Sequence, residues 1–361
     1  MYMRARSRLQ SLQEELSKYK LDAILVGHLP NIRYLCGFSG SAGLLVVSDR
    51  EFEFFTDGRY TLQAREEVKG ARIRIEKGKS AFAAAMDWLT ERKQIKRLGI
   101  EAAYMTVADR EALAKRVRRV RIANAPALIE RMRMVKSDEE IARIRTACEL
   151  GSRLLDPLTD VLKPGRTESQ VAGQLELAAR NAGADQMAFT TIIAGGRRSA
   201  LPHGRASFAA VPDEGFVVCD FGVILSGYCS DMTRTLHVGC PSTEARRVYG
   251  AVREAQQAAL EAVRPGKAVG EVDAAARKLL HKRELGKYFT HSTGHGLGLE
   301  IHEAPRVAAG QTEILRPGMV ITVEPGVYLP GKFGVRIEDT VVVTETGCEI
   351  LTKCPKELLS V

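Results

Sequence analysis

Asp220 and Asp231 lie in one hairpin-like stretch of this 361-residue chain, Glu324 and Glu338 lie in a second, and His295 stands between them. Phe216-Val-Val-Cys-Asp-Phe-Gly runs through Ile224-Leu-Ser-Gly-Tyr into Cys229-Ser-Asp-Met-Thr-Arg-Thr-Leu. An apolar run, a Gly/Ser turn and an alternating run predict a β-hairpin folded about Leu225 and Ser226, with Asp220 opposite Asp231. Met319-Val-Ile-Thr-Val-Glu-Pro-Gly and Gly334-Val-Arg-Ile-Glu-Asp-Thr-Val-Val-Val predict a second hairpin. It folds about Pro330-Gly331-Lys332 and sets Glu324 opposite Glu338. Opposed side chains sit about 4.5 to 5.5 Å apart, and like charges there are destabilising. At about 4 Å and an effective dielectric near 20, each pair repels by roughly 4 kcal/mol. Two divalent cations would turn that penalty into attraction, so the pattern predicts a two-metal cage.

This half of the chain also repeats itself. Leu162-Lys-Pro-Gly-Arg-Thr-Glu-Ser-Gln-Val171 matches Val263-Arg-Pro-Gly-Lys-Ala-Val-Gly-Glu-Val272, 101 residues later, and each opens a helical pattern. Phe189-Thr-Thr then matches Phe289-Thr-His, and Asp231-Met-Thr matches Glu338-Asp-Thr, in the same order. A duplication makes Asp220 the equivalent of Glu324, and Asp231 of Glu338. It predicts two helix-plus-hairpin halves about a pseudo-two-fold axis, with the acids meeting at the centre.

These residues carry a family resemblance. Asp220, Asp231, His295 in His291-Ser-Thr-Gly-His-Gly-Leu-Gly, Glu324 in Thr-Val-Glu-Pro-Gly and Glu338 in Gly-Val-Arg-Ile-Glu-Asp resemble the five-ligand signature of pita-bread metallopeptidases. These include methionine aminopeptidase, aminopeptidase P and prolidase. The resemblance covers about residues 137 to 361, while Ala200-Leu-Pro-His203-Gly and His302-Glu resemble the proline-specific branch. Tyr34-Leu-Cys-Gly-Phe-Ser-Gly-Ser-Ala-Gly43 and Thr56-Asp-Gly-Arg-Tyr-Thr-Leu-Gln-Ala64 resemble the domain that aminopeptidase P carries before its catalytic half.

The resemblance implies an α+β chain: a pita-bread catalytic domain with an internal pseudo-two-fold repeat, preceded by a smaller α/β domain. Composition agrees with two domains, because the chain exceeds the usual size of one core. The expected boundary falls near Asn124-Ala-Pro-Ala-Leu, giving domains 1–128 and 129–361, with Ser137-Asp-Glu-Glu140 as a capping-box helix start. Residues 1–130 alternate strand-like runs, Ala23-Ile-Leu-Val and Leu44-Leu-Val-Val, with helical patterns, an α/β reading.

The formal charge of +9 invites a nucleic-acid reading, but residues 1–130 hold 24 Lys/Arg against 16 Asp/Glu, so nearly all the excess lies away from the acids. Lys115-Arg-Val-Arg-Arg-Val-Arg121 lacks interleaved aromatics and reads as a solvated basic face, so no nucleic-acid partner is expected. Seven scattered Cys argue against a disulfide framework. The charged helical pattern from Arg4 to Lys20 is no signal peptide, no run of 18 apolar residues exists, and the expected place is the cytoplasm with no membrane partner. Cys219 and Cys229 flank the acids, and alternation points them to the opposite face, as packing residues.

Carboxylates with one imidazole and no thiolate suit Mn²⁺, Co²⁺, Fe²⁺ or Zn²⁺; the resemblance favours two ions of Mn²⁺ or Co²⁺. Two such ions can share a bridging water, lower its pKa from 15.7 toward about 7 and polarise a carbonyl. The resemblance makes Asp231 and Glu338 bridge both ions, Asp220 chelate one, and His295 with Glu324 hold the other. Glu324 then also takes the proton of the attacking hydroxide and passes it to the leaving nitrogen. By the same resemblance His203 stands close to the substrate carbonyl, His302 hydrogen-bonds the tetrahedral intermediate and His291 lines the pocket for the proline ring. On spacing alone His203 is an exposed turn residue. Arg336 shares a strand face with Glu338 and reads equally as a salt bridge to that carboxylate or as a substrate-backbone ligand. His28, His237 and His281 are expected in surface or packing roles, and Asp57, Arg59 and Tyr60 are explained by a Thr-Asp-Gly turn.

The reading is a binuclear peptidase that removes an N-terminal residue ahead of proline, leaning to the aminopeptidase P type through Thr56-Asp-Gly-Arg-Tyr60. The alternative is a prolidase restricted to Xaa-Pro dipeptides. A methionine aminopeptidase is disfavoured by the N-terminal domain and His203, and a non-catalytic pita-bread module by the presence of all five ligands. A homodimer or higher homo-oligomer is implied by resemblance alone.

Overall fold

The computed structural model describes residues 2–361, with side chains from residue 8 onward. The chain divides into two compact units, Met1–Arg133 and Met134–Val361. Of the helical pattern expected from Arg4 to Lys20, the helix Tyr2–Lys18 forms; the side chains of its first turn lie outside the described residues.

The first unit is the expected α/β layer. Six strands run in the order Arg72–Glu76, Phe52–Asp57, Leu44–Ser48, Ala23–Val26, Arg97–Ile100, Arg121–Asn124. Ala23–Val26 is buried along its whole length, as a central strand with no polar alternation should be. Its core gathers Leu25, Val46, Phe55, Trp88, Leu98 and Leu113. Asp57 caps the short turn Gly58–Tyr60 by accepting from Arg59 N at 3.0 Å, and Arg59 turns back to pair with Asp57 at 2.9 Å. That is the turn role the motif predicts.

The second unit starts at the capping box, where Ser137 and Glu140 satisfy each other's backbone N–H at the head of helix Asp138–Arg153. Behind it come the two related halves. Helices Glu168–Asn181 and Val269–Lys282 are the equivalents, and their first turns are tied down in the same way. Glu168 N donates to Ala209 O and Ser169 N to Ser207 O, while Val211 N returns to Arg166 O. In the second half Val269 N donates to Glu313 O and Gly270 N to Gln311 O, while Leu315 N returns to Lys267 O. Three hydrogen bonds thus recur in order, 101 residues apart on the helix side.

Each half contributes an antiparallel sheet. The first pairs Met232–Val238, Gly215–Phe221 and Ile192–Gly195; the second orders Glu303–Val307, Gly294–Gly296, Val320–Val323, Asp339–Val343 and Cys348–Ile350. Helices Thr243–Ala262 and Val269–Lys282 bury Val248, Val252, Val272 and Leu280 against Ile321, Val323 and Val341.

The second hairpin folds as the sequence predicts. Val323 pairs with Asp339 and Gly326 with Arg336, a single register about Gly331 that places Glu324 opposite Glu338. The first hairpin corrects the expectation by two residues. Asp220 pairs with Thr233, and the flanking pairs Met232 with Phe221 and Cys229 with Ile224 set Asp231 opposite Gly222. The physical reason is the turn, centred on Ser226 at φ 51° and Gly227 at φ 79°. Two consecutive left-handed residues make the mirror-image turn that matches strand twist, and Leu225 cannot adopt that conformation cheaply. The two acids are therefore diagonal neighbours rather than opposed. A Cβ at Gly222 would lie 2.0 Å from Ser230 O, so only glycine allows the strands to close there.

Candidate metal centre

The two hairpins meet edge to edge. Glu338 N donates to Thr233 O at 3.1 Å, and Arg336 N donates to Thr235 Oγ1 at 3.0 Å. Asp220, Asp231, Glu324, Glu338, His295, His203, His291, His302 and Arg336 all line one cleft of about 840 Å³. Phe189 and Thr190 line it from the first half, and Thr290, the repeat equivalent of Thr190, lines it with His291 from the second.

Within it, Asp231, His295 and Glu338 each turn one ligand atom to a common point, all within 4.8 Å of one another. His295 Nε2 stands 3.6 Å from Asp231 Oδ2 and 3.5 Å from Glu324 Oε1. Its Nδ1 lies 2.9 Å from Gly296 O, which can only accept, so Nδ1 carries the proton and Nε2 presents a lone pair. Burial and the nearby His302 hold the His295 pKa down to about 4, keeping the ring neutral. A lone pair aimed at carboxylates repels them unless a cation lies between.

The acids give the same answer. Asp231 is raised well above the ordinary carboxylate range by burial and then by Glu338 and Asp220. Glu338 is raised likewise by burial and then by Glu324 and Asp220. Burial, with Asp220 adding to it, pushes Glu324 to about 8 against the opposing pull of Arg336. Asp220 Oδ1, Asp231 Oδ1 and Glu338 Oε1 are buried with no hydrogen-bond partner. Buried polar oxygens are normally satisfied, and three orphans on three clustered acids fit divalent cations.

Supporting bonds aim the acids. Thr233 Oγ1 donates to Glu338 Oε2 at 2.7 Å, Thr322 Oγ1 to Glu324 Oε1 at 3.3 Å, and Thr340 Oγ1 to Asp231 O at 2.9 Å. Arg336 pairs with Asp220 through Nη2, and also donates to Thr233 Oγ1, Pro202 O and Tyr328 OH. Its carboxylate is thus on the other hairpin from the Glu338 that shares its strand. Tyr328 OH passes its own proton toward His291 Nε2 at 3.0 Å.

His302 is exposed, and its ring lies 4.4 Å from that of His295 in an edge-on contact. His203 stands on the Leu201–Arg205 turn, exposed at the cleft wall. His28 stacks on Tyr104 at 3.6 Å, buried His237 packs edge-on to Phe216, and neither these nor His281 line the cleft. Cys219 and Cys229 are both buried in apolar clusters; alternation accounts for Cys219, next to Asp220, whereas Cys229 has the parity of Asp231 and is buried by its packing, a correction to the expectation.

Sequence reasoning missed Arg205, Arg306 and Tyr328. Arg306 reaches the cleft because it pairs with His295, and a bulge at His295/Gly296 then shifts the register so that Gly296 pairs with Glu303. No turn residue in the sequence marks that bulge. Tyr328 follows the Glu-Pro-Gly motif by two, and its alternation with Gly326 was the available signal.

The comparisons agree with this geometry. Residues 8–135 match the Creatinase/Prolidase N-terminal domain, and residues 142–345 match Metallopeptidase family M24. A Xaa-Pro dipeptidase of Pyrococcus horikoshii is 37% identical, with 98% of each chain covered. The solved Xaa-Pro dipeptidase from Bacillus anthracis is 37% identical over the full length of both chains, with a TM-score of 0.95. The X-Pro aminopeptidase from Thermotoga maritima is 35% identical, covering 96% of this chain and 100% of its own, with a TM-score of 0.89. By family model, by full-length likeness and by a cleft built from its two repeated hairpins, this chain belongs to metallopeptidase family M24.

Proposed function

We propose that this chain is a metal-dependent Xaa-Pro dipeptidase, hydrolysing the bond between an N-terminal residue and a C-terminal proline. The observation that carries it is the convergence of Asp231, His295 and Glu338 beside orphaned acid oxygens, in a cleft that also presents Arg205 and Arg306. A dipeptide carries its free carboxylate one residue from the scissile bond, and arginine is the side chain best matched to a carboxylate. The names of the relatives, dipeptidases more than aminopeptidases, support the same narrowing. The lean toward an aminopeptidase therefore gives way to the dipeptidase reading.

Asp220, Asp231, His295, Glu324 and Glu338 would hold two divalent ions; one imidazole and four carboxylates suit Mn²⁺, Co²⁺, Fe²⁺ or Zn²⁺, and the family resemblance favours Mn²⁺ or Co²⁺. Bound there, the ions supply a nucleophile at neutral pH and polarise the scissile carbonyl. Glu324 would take a proton at its carboxylate and deliver it to the prolyl nitrogen. Like any amide nitrogen, it leaves as an amine only when a proton is supplied. His203 and His302 stand on the cleft wall where their N–H groups can bond the carbonyl oxygen as it gains charge. His291, neutral because burial holds its pKa to about 4, offers a ring face beside Phe289 to the proline.

Hydrolysis of Ala-Pro against Ala-Pro-Ala with Mn²⁺ or Co²⁺, before and after chelation, tests the reading. Cleavage of the dipeptide alone supports it, efficient cleavage of both restores the aminopeptidase, and cleavage of neither with metal bound overturns both. Glu324→Gln should keep the fold and abolish turnover.

A further inference from the structure

We propose that Glu168, clamped by Arg198, is a positioning residue for His203; the proposal rests on the peptidase reading. The loop carrying His203 leaves the strand Ile192–Gly195 and returns at Val211, which is tied to Arg166. Glu168 closes its base from the first turn of helix Glu168–Asn181, fully buried. Oε1 accepts from Gly195 N at 2.9 Å on the outgoing arm. Oε2 accepts from Ser207 N at 3.0 Å and Ser207 Oγ at 2.6 Å on the returning arm. Arg198 Nε lies 3.1 and 3.0 Å from the two oxygens, and its Nη2 donates to Arg205 O at 2.7 Å, two residues beyond His203. On the other side, Pro202 O accepts from Arg336 Nη1 at 3.1 Å. The backbone is thus held one residue before and two residues after His203, while the imidazole faces the cleft.

Neither Glu168 nor Arg198 is part of the cleft lining. A buried ion pair commonly contributes little net stability against an apolar replacement. What the four groups around this carboxylate secure is the shape of one loop, and that loop carries a cleft histidine. The second half repeats the device with different residues. Asp273, also fully buried, pairs with Arg277 at 2.6 Å and accepts from Thr293 Oγ1 at 2.8 Å. Arg277 donates to Phe289 O at 3.1 Å and His291 O at 2.5 Å. In both halves an acid–arginine pair rooted on the equivalent helix grips the loop of that half's own cleft histidine.

A double-mutant cycle reads the coupling. Glu168→Gln puts an amide N–H among donors, so it should lower kcat/KM for Ala-Pro by about 10- to 100-fold, mostly in kcat, with Mn²⁺ stoichiometry unchanged. In a His203→Ala background the same substitution should cost less than about twofold. Equal losses in both backgrounds would make Glu168 merely structural and overturn the proposal, as would a His203→Ala enzyme with wild-type turnover. Arg198→Lys, on a half-exposed side chain, keeps the charge but loses the bond to Arg205 O; it serves should Glu168→Gln fail to fold, with the same cycle expected at about three- to tenfold. The ring resonances of His203 in ¹H–¹⁵N spectra give a readout free of turnover. They should move in Glu168→Gln while those of His281 stay; unchanged His203 signals would overturn the positioning role even if the protein cleaves no Ala-Pro, the outcome that would remove the peptidase reading instead.

Discussion

His295 and Arg306 face each other across adjacent antiparallel strands, which puts the imidazole and the guanidinium on one face of the sheet. Arg336, the other strand arginine of the cleft, is buried and committed to Asp220, Thr233 and Tyr328, whereas Arg306 is exposed to the cleft. Arg306→Gln should therefore raise KM for Ala-Pro about tenfold or more, the loss of a charge-assisted hydrogen bond of about 1.5 to 3 kcal/mol. Ala-Pro-amide, which has no carboxylate to lose, should change by less than about twofold. Equal effects on the two substrates would remove Arg306 from carboxylate recognition.

The raised acids set a pH dependence. Glu324 sits at about 8 against an ordinary value of 4.5, and Asp231 and Glu338 are displaced the same way by burial. Without metal the fold favours their protonated forms. That stabilisation is complete below the unfolded values and is lost as pH rises through the folded ones. The melting temperature of metal-free protein should fall between about pH 6.5 and pH 8, where His291 and His295, held low by burial, are already neutral folded or unfolded, and Mn²⁺ should restore more of it at the upper end than at the lower. Binding should release protons, visible by calorimetry in buffers of different ionisation enthalpy. A metal-free protein that gains stability across this window would contradict the burial argument.

Much of the centre is legible in the sequence, for reasons that differ between the hairpins. Pro330-Gly331-Lys332 offers one turn centre between two apolar runs, so Glu324 and Glu338 could be paired correctly. Leu225-Ser226-Gly227 offers two centres, one residue apart, and a one-residue shift of a turn moves the register by two. Only the backbone signs at Ser226 and Gly227 decide between them. The repeat was readable at its helix starts because Pro-Gly turns and caps are local chemistry. The bulge that brings Arg306 to the cleft and the Glu168–Arg198 clamp are tertiary, and local composition carries no trace of either.

The turn itself can be tested. Gly227 at φ 79° should lose about 1 kcal/mol on substitution by alanine, while Ser226→Asn should be neutral or slightly stabilising, because asparagine accepts the left-handed region. Urea midpoints at constant slope would measure both. Equal tolerance at the two positions would mean that the hairpin folds about another pair.

Tyr328 couples two cleft residues that otherwise do not meet. Arg336 Nη1 donates to its hydroxyl at 2.6 Å, and the hydroxyl donates to His291 Nε2 at 3.0 Å. His291 Nδ1 is already spent on Ser292 O at 2.8 Å, which fixes Nε2 as the acceptor. Tyr328→Phe leaves a buried guanidinium N–H and a buried ring nitrogen without their partner, a loss of about 1 to 3 kcal/mol by the cost of unsatisfied buried groups. It should not change metal stoichiometry, since the hydroxyl bonds Arg336 and His291 and none of the four acids and one imidazole proposed as ligands. Its effect on catalysis should fall on KM for Xaa-Pro, through a His291 ring no longer held at a fixed angle beside Phe289. Denaturation midpoints, metal content and steady-state kinetics on one variant separate these three outcomes, and a fall in bound metal would place Tyr328 in the support of the centre itself.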